Sequence, residues 1–561
     1  MSVVRASAQR SDGRGWTLAS LLVAAVVLAP IAALFAIAAQ GSGDLWPHLL
    51  AYVLPQAVHD TALLLLGVGV VTVVIGVGTA WLVTTCRFPG RGFFDWALLL
   101  PLAVPTYIVA FAYLDILHPL GPIQTALRAI LAINDPRGLW LPDVRSLPGC
   151  ILLLGFVLYP YVYLAARATF LMQSAPALEV ARTLGAGSFA TFLRVALPLA
   201  RPAIAVGATL ALLEALNDIG ASEFLGVRTF TVSIYATWVN RSSLPGAAQI
   251  ALVMLAAVLA LVLLERWGRR HRQFSGGSRR SHPPALAELS GIASIGAFAA
   301  CSAPVLIGFV LPTAHLVHEA WARIGFIGLS SNIVIEARNS VLFATAATAV
   351  ALALGLVLAH AARLDRSGLA DAAARVGSLG YAIPGTVLAV GLLVPLATFD
   401  NALDAATRQV LGFGTGLLIS GSGAALVLAY VIRFLAISAG GVEAGYAKIP
   451  ASLDMAARSL GESTRGTMLR VHLPLLKPSL GAAAILVFVD CMKELPATLL
   501  LRPFGFETLA THIYAEAARG TYEDGAVAAL MIVLVGLGPV VLLARMSQPP
   551  QLLPPARSGS V

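Results

Sequence analysis

The stretch Glu179-Val180-Ala181-Arg182-Thr183-Leu184-Gly185 recurs 276 residues later (461 − 185 = 276) as Met455-Ala456-Ala457-Arg458-Ser459-Leu460-Gly461. In both copies the chain then reaches a Leu-Pro pair, ending at Pro198 and at Pro474, where an apolar run begins. Each copy predicts a short, Ala-rich polar helix that ends at glycine, because glycine readily adopts the left-handed conformation of a helix C-cap. A polar helix between two hydrophobic spans is expected to lie on the membrane surface, where another protein can press against it.

The composition is typical of an integral membrane protein. Hydrophobic residues make up 58% of the chain and charged residues 12%, whereas soluble domains contain about 25% charged residues. The formal charge is +9. Because the basic residues cluster in alternate short loops, as the positive-inside rule describes, this charge indicates cytoplasmic loops beside the lipid bilayer and no nucleic-acid partner.

Apolar runs predict twelve membrane spans, each close to the roughly 20 residues that a helix needs to cross. Two pairs of positions repeat at an offset of 279 (339 − 60 and 383 − 104): Asp60-Thr61 with Asn339-Ser340, and Val104-Pro105 with Ile383-Pro384. The predicted fold class is therefore an all-α integral membrane protein with about twelve transmembrane helices in two parallel six-helix repeats. The predicted spans are 16–39, 60–84, 94–115, 148–168, 202–220, 246–265, 290–312, 339–361, 378–397, 414–436, 478–496 and 524–545.

The span pattern also predicts how the chain is divided, with both termini in the cytoplasm. The predicted parts are a cytoplasmic N-terminal tail (1–15), a first six-helix unit (16–265), a basic cytoplasmic linker (266–288), a second six-helix unit (289–545) and a cytoplasmic C-terminal tail (546–561).

The repeated stretch resembles the EAA loop of ABC-importer permeases, whose consensus is Glu-Ala-Ala, a later Gly, and then an apolar residue, any residue and Leu-Pro. The first copy has Val180 in place of Ala. The second copy departs further, because Met455 stands where Glu is expected and the acid is Asp454. In that family the loop docks into a groove on the ATP-hydrolysing subunit. The resemblance implies these ATPase-coupling residues: Glu179, Ala181, Arg182, Gly185, Pro198, Asp454, Ala457, Arg458, Gly461 and Pro474.

Three further segments, 99–107, 223–231 and 492–505, resemble the fused permeases of ferric-iron importers. This resemblance implies two permease units on one chain in a bacterial inner membrane, with the first helix of each half wrapping the other half. It also implies two cytoplasmic ABC ATPase subunits, which use ATP and Mg²⁺, and a periplasmic binding protein that delivers Fe³⁺. Fused thiamine permeases are the near alternative. Sulfate, phosphonate and polyamine permeases share the loop more distantly.

Four carboxylates are candidates for the translocation pathway. Glu214 lies in an otherwise apolar run, and Asp218 follows four residues later; Asp490 and Glu494 are their equivalents at the offset of 276. On a helix this spacing would put both carboxylates of a pair on one face. An acid at bilayer depth costs roughly 2.5–3.5 kcal/mol, so it normally faces a polar interior. We expect these groups to offer transient oxygen ligands to Fe³⁺; the alternative is that they pair with neighbours such as Lys493 or reach interfacial water.

Other functions are less well supported by the sequence. The chain contains no phosphate-binding Gly-x-x-x-x-Gly-Lys-Ser/Thr loop, no His-Glu-x-x-His motif and no Gly-x-Ser-x-Gly turn. We therefore predict a transport subunit rather than an enzyme, with no cofactor of its own. A secondary transporter with six-plus-six helices is the alternative from another class, but it leaves the paired Leu-Pro loops unexplained. His315, His318 and Glu319 have helical metal-ligand spacing in a predicted external loop, although a loose surface cluster is the commoner arrangement and no stable metal site is predicted.

Overall fold

A computed structural model describes residues 2–133, 135, 142–172, 187–269, 286–365 and 367–547. Within this part the first half of the chain is helical. Its helices are α1 (Ser2–Ala39), α2 (Leu45–His48), α3 (Leu54–Thr85), α4 (Arg91–Ala97), α5 (Thr106–Ile116), α6 (Pro122–Leu131), α7 (Leu147–Met172), α8 (Ser188–Thr191), α9 (Leu197–Asn217), α10 (Gly220–Phe224), α11 (Phe230–Val239) and α12 (Leu244–Arg269).

The second half repeats this organisation. Its helices are α13 (Gly291–Val305), α14 (Leu311–Ile327), α15 (Ser331–Leu364), α16 (Leu369–Gly377), α17 (Gly385–Leu411), α18 (Ala424–Tyr446), α19 (Ala451–Ser459), α20 (Thr464–Thr467), α21 (Leu473–Met492), α22 (Pro496–Leu501), α23 (Leu509–Arg519) and α24 (Tyr522–Ser547). Short 3-10 helices precede α5 and α17, at Leu100–Ala103 and Ser378–Ala382.

Eleven helices in the described residues are long and apolar enough to cross a membrane. A twelfth candidate is a broken pair, Arg91–Ala103 and Thr106–Ile116, whose axes differ by 89°. The predicted all-α membrane fold is confirmed. The prediction of one continuous helix over 94–115 is wrong.

Proline explains the break. Val104 precedes Pro105 and is extended, with φ −107° and ψ 116°. The ring of a proline disfavours helical conformation in the residue before it, so the chain turns at this point. Ile383, before Pro384, is extended in the same way, with φ −77° and ψ 122°. The ninth span therefore begins at α17 and not at residue 378.

A π turn precedes four of the long helices, and in each case a Leu-Pro pair follows it directly. Because proline has no N–H, it cannot donate the backbone hydrogen bond that would continue an α-helix. The wider i→i+5 turn accommodates this missing donor. The four turns are Leu49–Val53, Phe192–Ala196, Leu306–Val310 and Met468–His472.

The first helix of each half packs against the other half. Helix α1 packs against α15, α16 and α17 of the second half, while α13 packs against α3 and α4 of the first. Two residues after span two form a short parallel bridge with two residues that precede α13: Cys86 pairs with Ala287 and Arg87 with Glu288. One apolar core extends through both halves and includes Val104, Leu388 and Leu495. The wrapping of each half by the first helix of the other, which the family resemblance implies, is confirmed.

Candidate functional site

A cavity of about 100 Å³ lies where the two halves meet, and the four predicted carboxylates all line it. Glu214 and Asp218 come from the first half, and Asp490 and Glu494 from the second. The lining also includes two basic side chains, Arg433 and Lys493, and two tyrosines, Tyr107 and Tyr161.

The prediction that both carboxylates of a pair lie on one face of a helix is wrong. Helix α9 ends at Asn217 and α21 ends at Met492, so Asp218 and Glu494 lie just beyond the helices. Asp218 is extended, with φ −69° and ψ 123°. Each carboxylate pair therefore reaches the cavity because the chain turns at the helix end, and not because both members share a helical face.

The second-half carboxylates are both paired with cations. Arg433 Nη1 donates to Glu494 Oε1 over 2.9 Å, and the two side chains are only 9% and 1% exposed. Glu494 also accepts hydrogen bonds from the backbone N–H groups of Ala497 and Thr498, at 3.0 and 3.1 Å. Lys493 Nζ lies 2.8 Å from Asp490 Oδ1.

The first-half carboxylates are held by neutral groups. The Thr106 hydroxyl and the Ser222 backbone N–H donate to Asp218, the latter over 3.0 Å. The Tyr381 hydroxyl donates to Glu214 over 3.0 Å. Among the described residues, no basic side chain lies within ion-pair distance of Glu214 or Asp218. All four carboxylates of the cavity present oxygen atoms, which are the ligands that hard cations prefer.

The second copy of the repeated stretch lies in and directly after helix α19. The helix ends before Gly461, which adopts the left-handed conformation with φ 86°. Its outer surface presents apolar side chains: Met455 is 62% exposed and Leu460 is 85% exposed. Arg458 is also exposed, whereas Ala457 is buried. The helix thus offers a mixed apolar and basic face to the solvent.

Asp454 of α19 points inward and fastens this helix to the membrane helices. Arg363 Nε donates to one of its carboxylate oxygens over 3.0 Å, and His472 Nε2 lies 2.6 Å from the other. Burial opposes ionisation, but these hydrogen bonds outweigh it and lower the pKa of Asp454 below its ordinary value. Arg363 also donates to the backbone carbonyls of Tyr446 and Ile449, both at 3.1 Å. The acid of the second copy therefore anchors the loop from within.

The remaining predicted coupling residues differ in what the structure describes. Glu179, Ala181, Arg182 and Gly185 lie outside the described residues. Pro198 and Pro474 are both the second residue of their helices, α9 and α21, directly after a π turn. The Leu-Pro part of the motif thus begins the same structural transition in both copies.

The residues with metal-ligand spacing, His315, His318 and Glu319, are predicted to lie in an external loop. This prediction is wrong, because helix α14 continues through them. His315 lies on this helix beside Asp115 of α5, with Nε2 and Oδ2 2.9 Å apart. Glu319 lies on the other side of the ring, 4.0 Å from Nδ1. His318 is exposed and is absent from this cluster of Asp115, His315 and Glu319.

A separate histidine contact joins the helices near the predicted external surface. His512 of α23 lies 3.0 Å from a carboxylate oxygen of Glu336 on α15. Burial lowers the pKa of His512, but the hydrogen bond and the charge of Glu336 outweigh it, so the pKa is raised above its usual value near 6.5.

Known proteins resemble this chain over most of its length. An Fe(3+)-transport system permease protein of Haemophilus influenzae (FbpB 2) is 24% identical over 495 residues, which cover 87% of this chain and 90% of that protein. A probable ABC transporter permease protein of Sinorhizobium fredii (y4fN) is 24% identical over 555 residues, 95% of both chains. Residues 72–272 match the family described as binding-protein-dependent transport system inner membrane component.

The resemblance to fused permeases of the ferric-iron type is confirmed. A shorter relative matches only part of the chain. The molybdenum transport system permease protein ModB of Escherichia coli is 29% identical over 198 residues, which are 83% of that protein but 34% of this chain. These lengths agree with two permease units joined in one polypeptide. The relatives are transport components rather than enzymes, and the matched family is one of inner membrane components.

Sequence reasoning missed Arg433. A single arginine inside an apolar run is itself a signal, because a basic side chain in a membrane helix normally faces the bundle interior and pairs there. The sequence predicts Lys493 only as an alternative partner of the acids, and the structure supports that alternative for Asp490.

Proposed function

We propose that this chain is the permease subunit of an ATP-driven importer and forms the transmembrane path for Fe³⁺ delivered by a periplasmic binding protein. The observation that carries the proposal is the cavity between the halves, where four carboxylates at repeated positions converge. Two basic residues also line it, which gives the lining a formal charge of −2 when all six groups are ionised. A negative oxygen-lined cavity favours a hard cation over an anion or an apolar solute.

The size and chemistry of the cavity support a small cargo. Its volume of about 100 Å³ is enough for an ion with a few waters, since a cavity needs roughly 10–15 Å³ on the same measure to hold one water. The relatives that cover most of the chain include a protein named for Fe(3+) transport. Ferric ion is a hard cation that binds carboxylate and phenolate oxygens.

Force for transport comes from two ATPase subunits that dock on the repeated loops. Helix α19 offers Met455, Leu460 and Arg458 to such a partner, in keeping with a short helix that enters a groove. The inward anchoring of Asp454 means that a push on α19 is transmitted to α15 through Arg363 and to the start of α21 through His472. Both loops and both termini lie in the cytoplasm in this arrangement.

Uptake by the whole complex tests the proposal. The permease, its ATPase and its binding protein are reconstituted in vesicles, and radiolabelled iron and radiolabelled thiamine are offered in parallel with ATP inside. We expect uptake of iron alone, and only with ATP. Thiamine uptake without iron uptake would mean that thiamine is the transported substrate. Iron uptake that continues without the ATPase would favour a secondary transporter.

Substitution on α19 tests the docking surface. Leu460→Asp is expected to abolish ATP-dependent uptake and to weaken co-purification of the ATPase, because it places a charge in an apolar contact. Leu417→Asp is the matched control, since Leu417 is 53% exposed and lies between α17 and α18, at the end of α18 opposite to α19. Normal uptake by Leu460→Asp, or equal loss in both variants, would contradict docking at this helix.

A further inference from the structure

The cavity is symmetric in its carboxylates and asymmetric in its cations. The offset of 276 that relates Glu214 to Asp490 also relates Asn217 to Lys493, and Val157 to Arg433 (433 − 157 = 276). All of these residues line the cavity. The second half therefore contributes both cations, and the first half has a neutral amide and an apolar side chain in the same places.

The space that Arg433 occupies exists because of a further difference between the halves. At the offset of 279, Thr106 corresponds to Gly385 (385 − 106 = 279). The Thr106 hydroxyl donates to Asp218, whereas a Cβ on Gly385 would overlap the Nη1 of Arg433 and the Oε1 of Glu494. One half thus holds its carboxylate with a small hydroxyl, and the other leaves room for a guanidinium.

Two buried oxygens in the first half point to a ligand. Tyr107 and Asn217 line the cavity, and the Tyr107 hydroxyl and the Asn217 Oδ1 have no hydrogen-bond partner among the residues that the structure describes. Their residues are 4% and 7% exposed. An unpartnered buried oxygen costs free energy unless water or an ion satisfies it, and both residues line the cavity that Asp218 lines.

We propose that the cavity binds its cation on the first half alone, through the carboxylates of Glu214 and Asp218 and the neutral oxygens of Asn217 and Tyr107. Arg433 and Lys493 keep the second-half carboxylates engaged, so that these form a fixed wall rather than ligands. The inference rests on the proposed function of cation import and assigns the ligand side of that site. The ligand class is a hard, multivalent cation, because every donor is oxygen and the lining is negative.

Binding of Tb³⁺ tests this assignment without requiring transport. Tb³⁺ is a hard trivalent ion, and the nearby tyrosines Tyr107 and Tyr161 can sensitise its luminescence. The full complex is titrated in lipid nanodiscs. For Glu214→Gln/Asp218→Asn we expect an affinity at least about tenfold weaker, the lower end of what perturbing a metal site costs. Asn217→Lys, which gives the first half the ammonium that the second half has, is expected to weaken binding similarly.

The matched control removes one charge pair from the second half. Asp404→Asn/Arg408→Gln, an exposed pair on α17 outside the cavity, leaves the formal charge of the lining unchanged, so we expect Tb³⁺ affinity within about twofold of the unmodified complex. The buried cysteines report folding in every variant through their reaction with a thiol dye. No sensitised signal in the unmodified complex, or an equal loss in the two double variants, would overturn the assignment. Iron uptake, measured separately, decides the proposed function, so either conclusion can fail while the other stands.

Discussion

Replacing Arg433 with methionine should destabilise the protein strongly. The substitution retains much of the apolar volume of the arginine and removes its charge. Glu494 would then be left 1% exposed with no cation beside it. Removing one partner of a buried ion pair typically costs about 3–5 kcal/mol, because the remaining charge is neither hydrated nor paired.

The structure places the expected cost at the lower end of that range. Glu494 retains its two backbone N–H donors, and the Thr498 hydroxyl donates to it over 2.9 Å. These three hydrogen bonds continue to stabilise the ionised carboxylate. A loss of about 3 kcal/mol corresponds to a change of more than 100-fold in the unfolding equilibrium. In Arg433→Met/Glu494→Gln both charges are absent, and we expect most of the stability to return.

The four cysteines provide the assay. All are buried, so a thiol-reactive fluorescent dye reports unfolding as the detergent-solubilised protein is heated. Arg408→Met is the matched control, because Arg408 is 66% exposed and pairs with Asp404 one helical turn away. An exposed pair of this kind contributes little, and no measurable change is expected. Equal unfolding temperatures for Arg433→Met and the unmodified protein, or no recovery in the double variant, would refute the reasoning.

Three further predictions concern single positions. Gly385→Ala should lower the unfolding temperature by displacing Arg433, whereas Gly481→Ala should not, because a Cβ at that helical position meets open space. Asp454→Asn should lower stability at neutral pH. Since the folded-state pKa of Asp454 is depressed, its contribution is present above its unfolded value of 3.8 and is lost as the pH falls through the folded value. Unfolding followed by tryptophan fluorescence from pH 7 to pH 3 should show the unfolding temperatures of the two proteins converging. His512→Gln should behave in the opposite sense. The folded-state pKa of His512 is raised, so its contribution to stability is present below pH 6.5 and is lost as the pH rises through the folded value. A constant difference in unfolding temperature between the variant and the unmodified protein from pH 5 to pH 9 would contradict this.

Hydropathy and repetition predicted most of the fold because they act over many residues. A run of about 20 apolar residues has few alternatives to a membrane helix, so each predicted span overlaps a helix of the structure, although the bounds of several spans differ. The break at Pro105 was missed because the apolar pattern continues through it. The conformation of Val104 depends on a local clash with the proline ring, which hydropathy does not register. The same limitation hid the helical continuation that carries His315.

The sequence predicts that the four carboxylates converge, but not the geometry by which they do so. Repeated acids at Glu214 and Asp490 indicated an internal polar region, and they do line one cavity. The assumed helical face failed because each helix ends before the second acid of its pair. The role of Asp454 could not be foreseen either, since its partner Arg363 is 91 residues away in the chain. Contacts between distant segments depend on how the helices pack, which no local pattern specifies.

The exchange of first helices between the halves bears on how such a chain could arise from separate genes. Helix α1 lies against the second half and α13 against the first, so the covalent connection through residues 270–285 duplicates an association that packing already makes. Two polypeptides divided in that interval should still associate, because the first helix of each packs against the other. Co-expressed fragments should therefore co-purify, and either fragment produced alone should leave an apolar groove uncovered and be degraded.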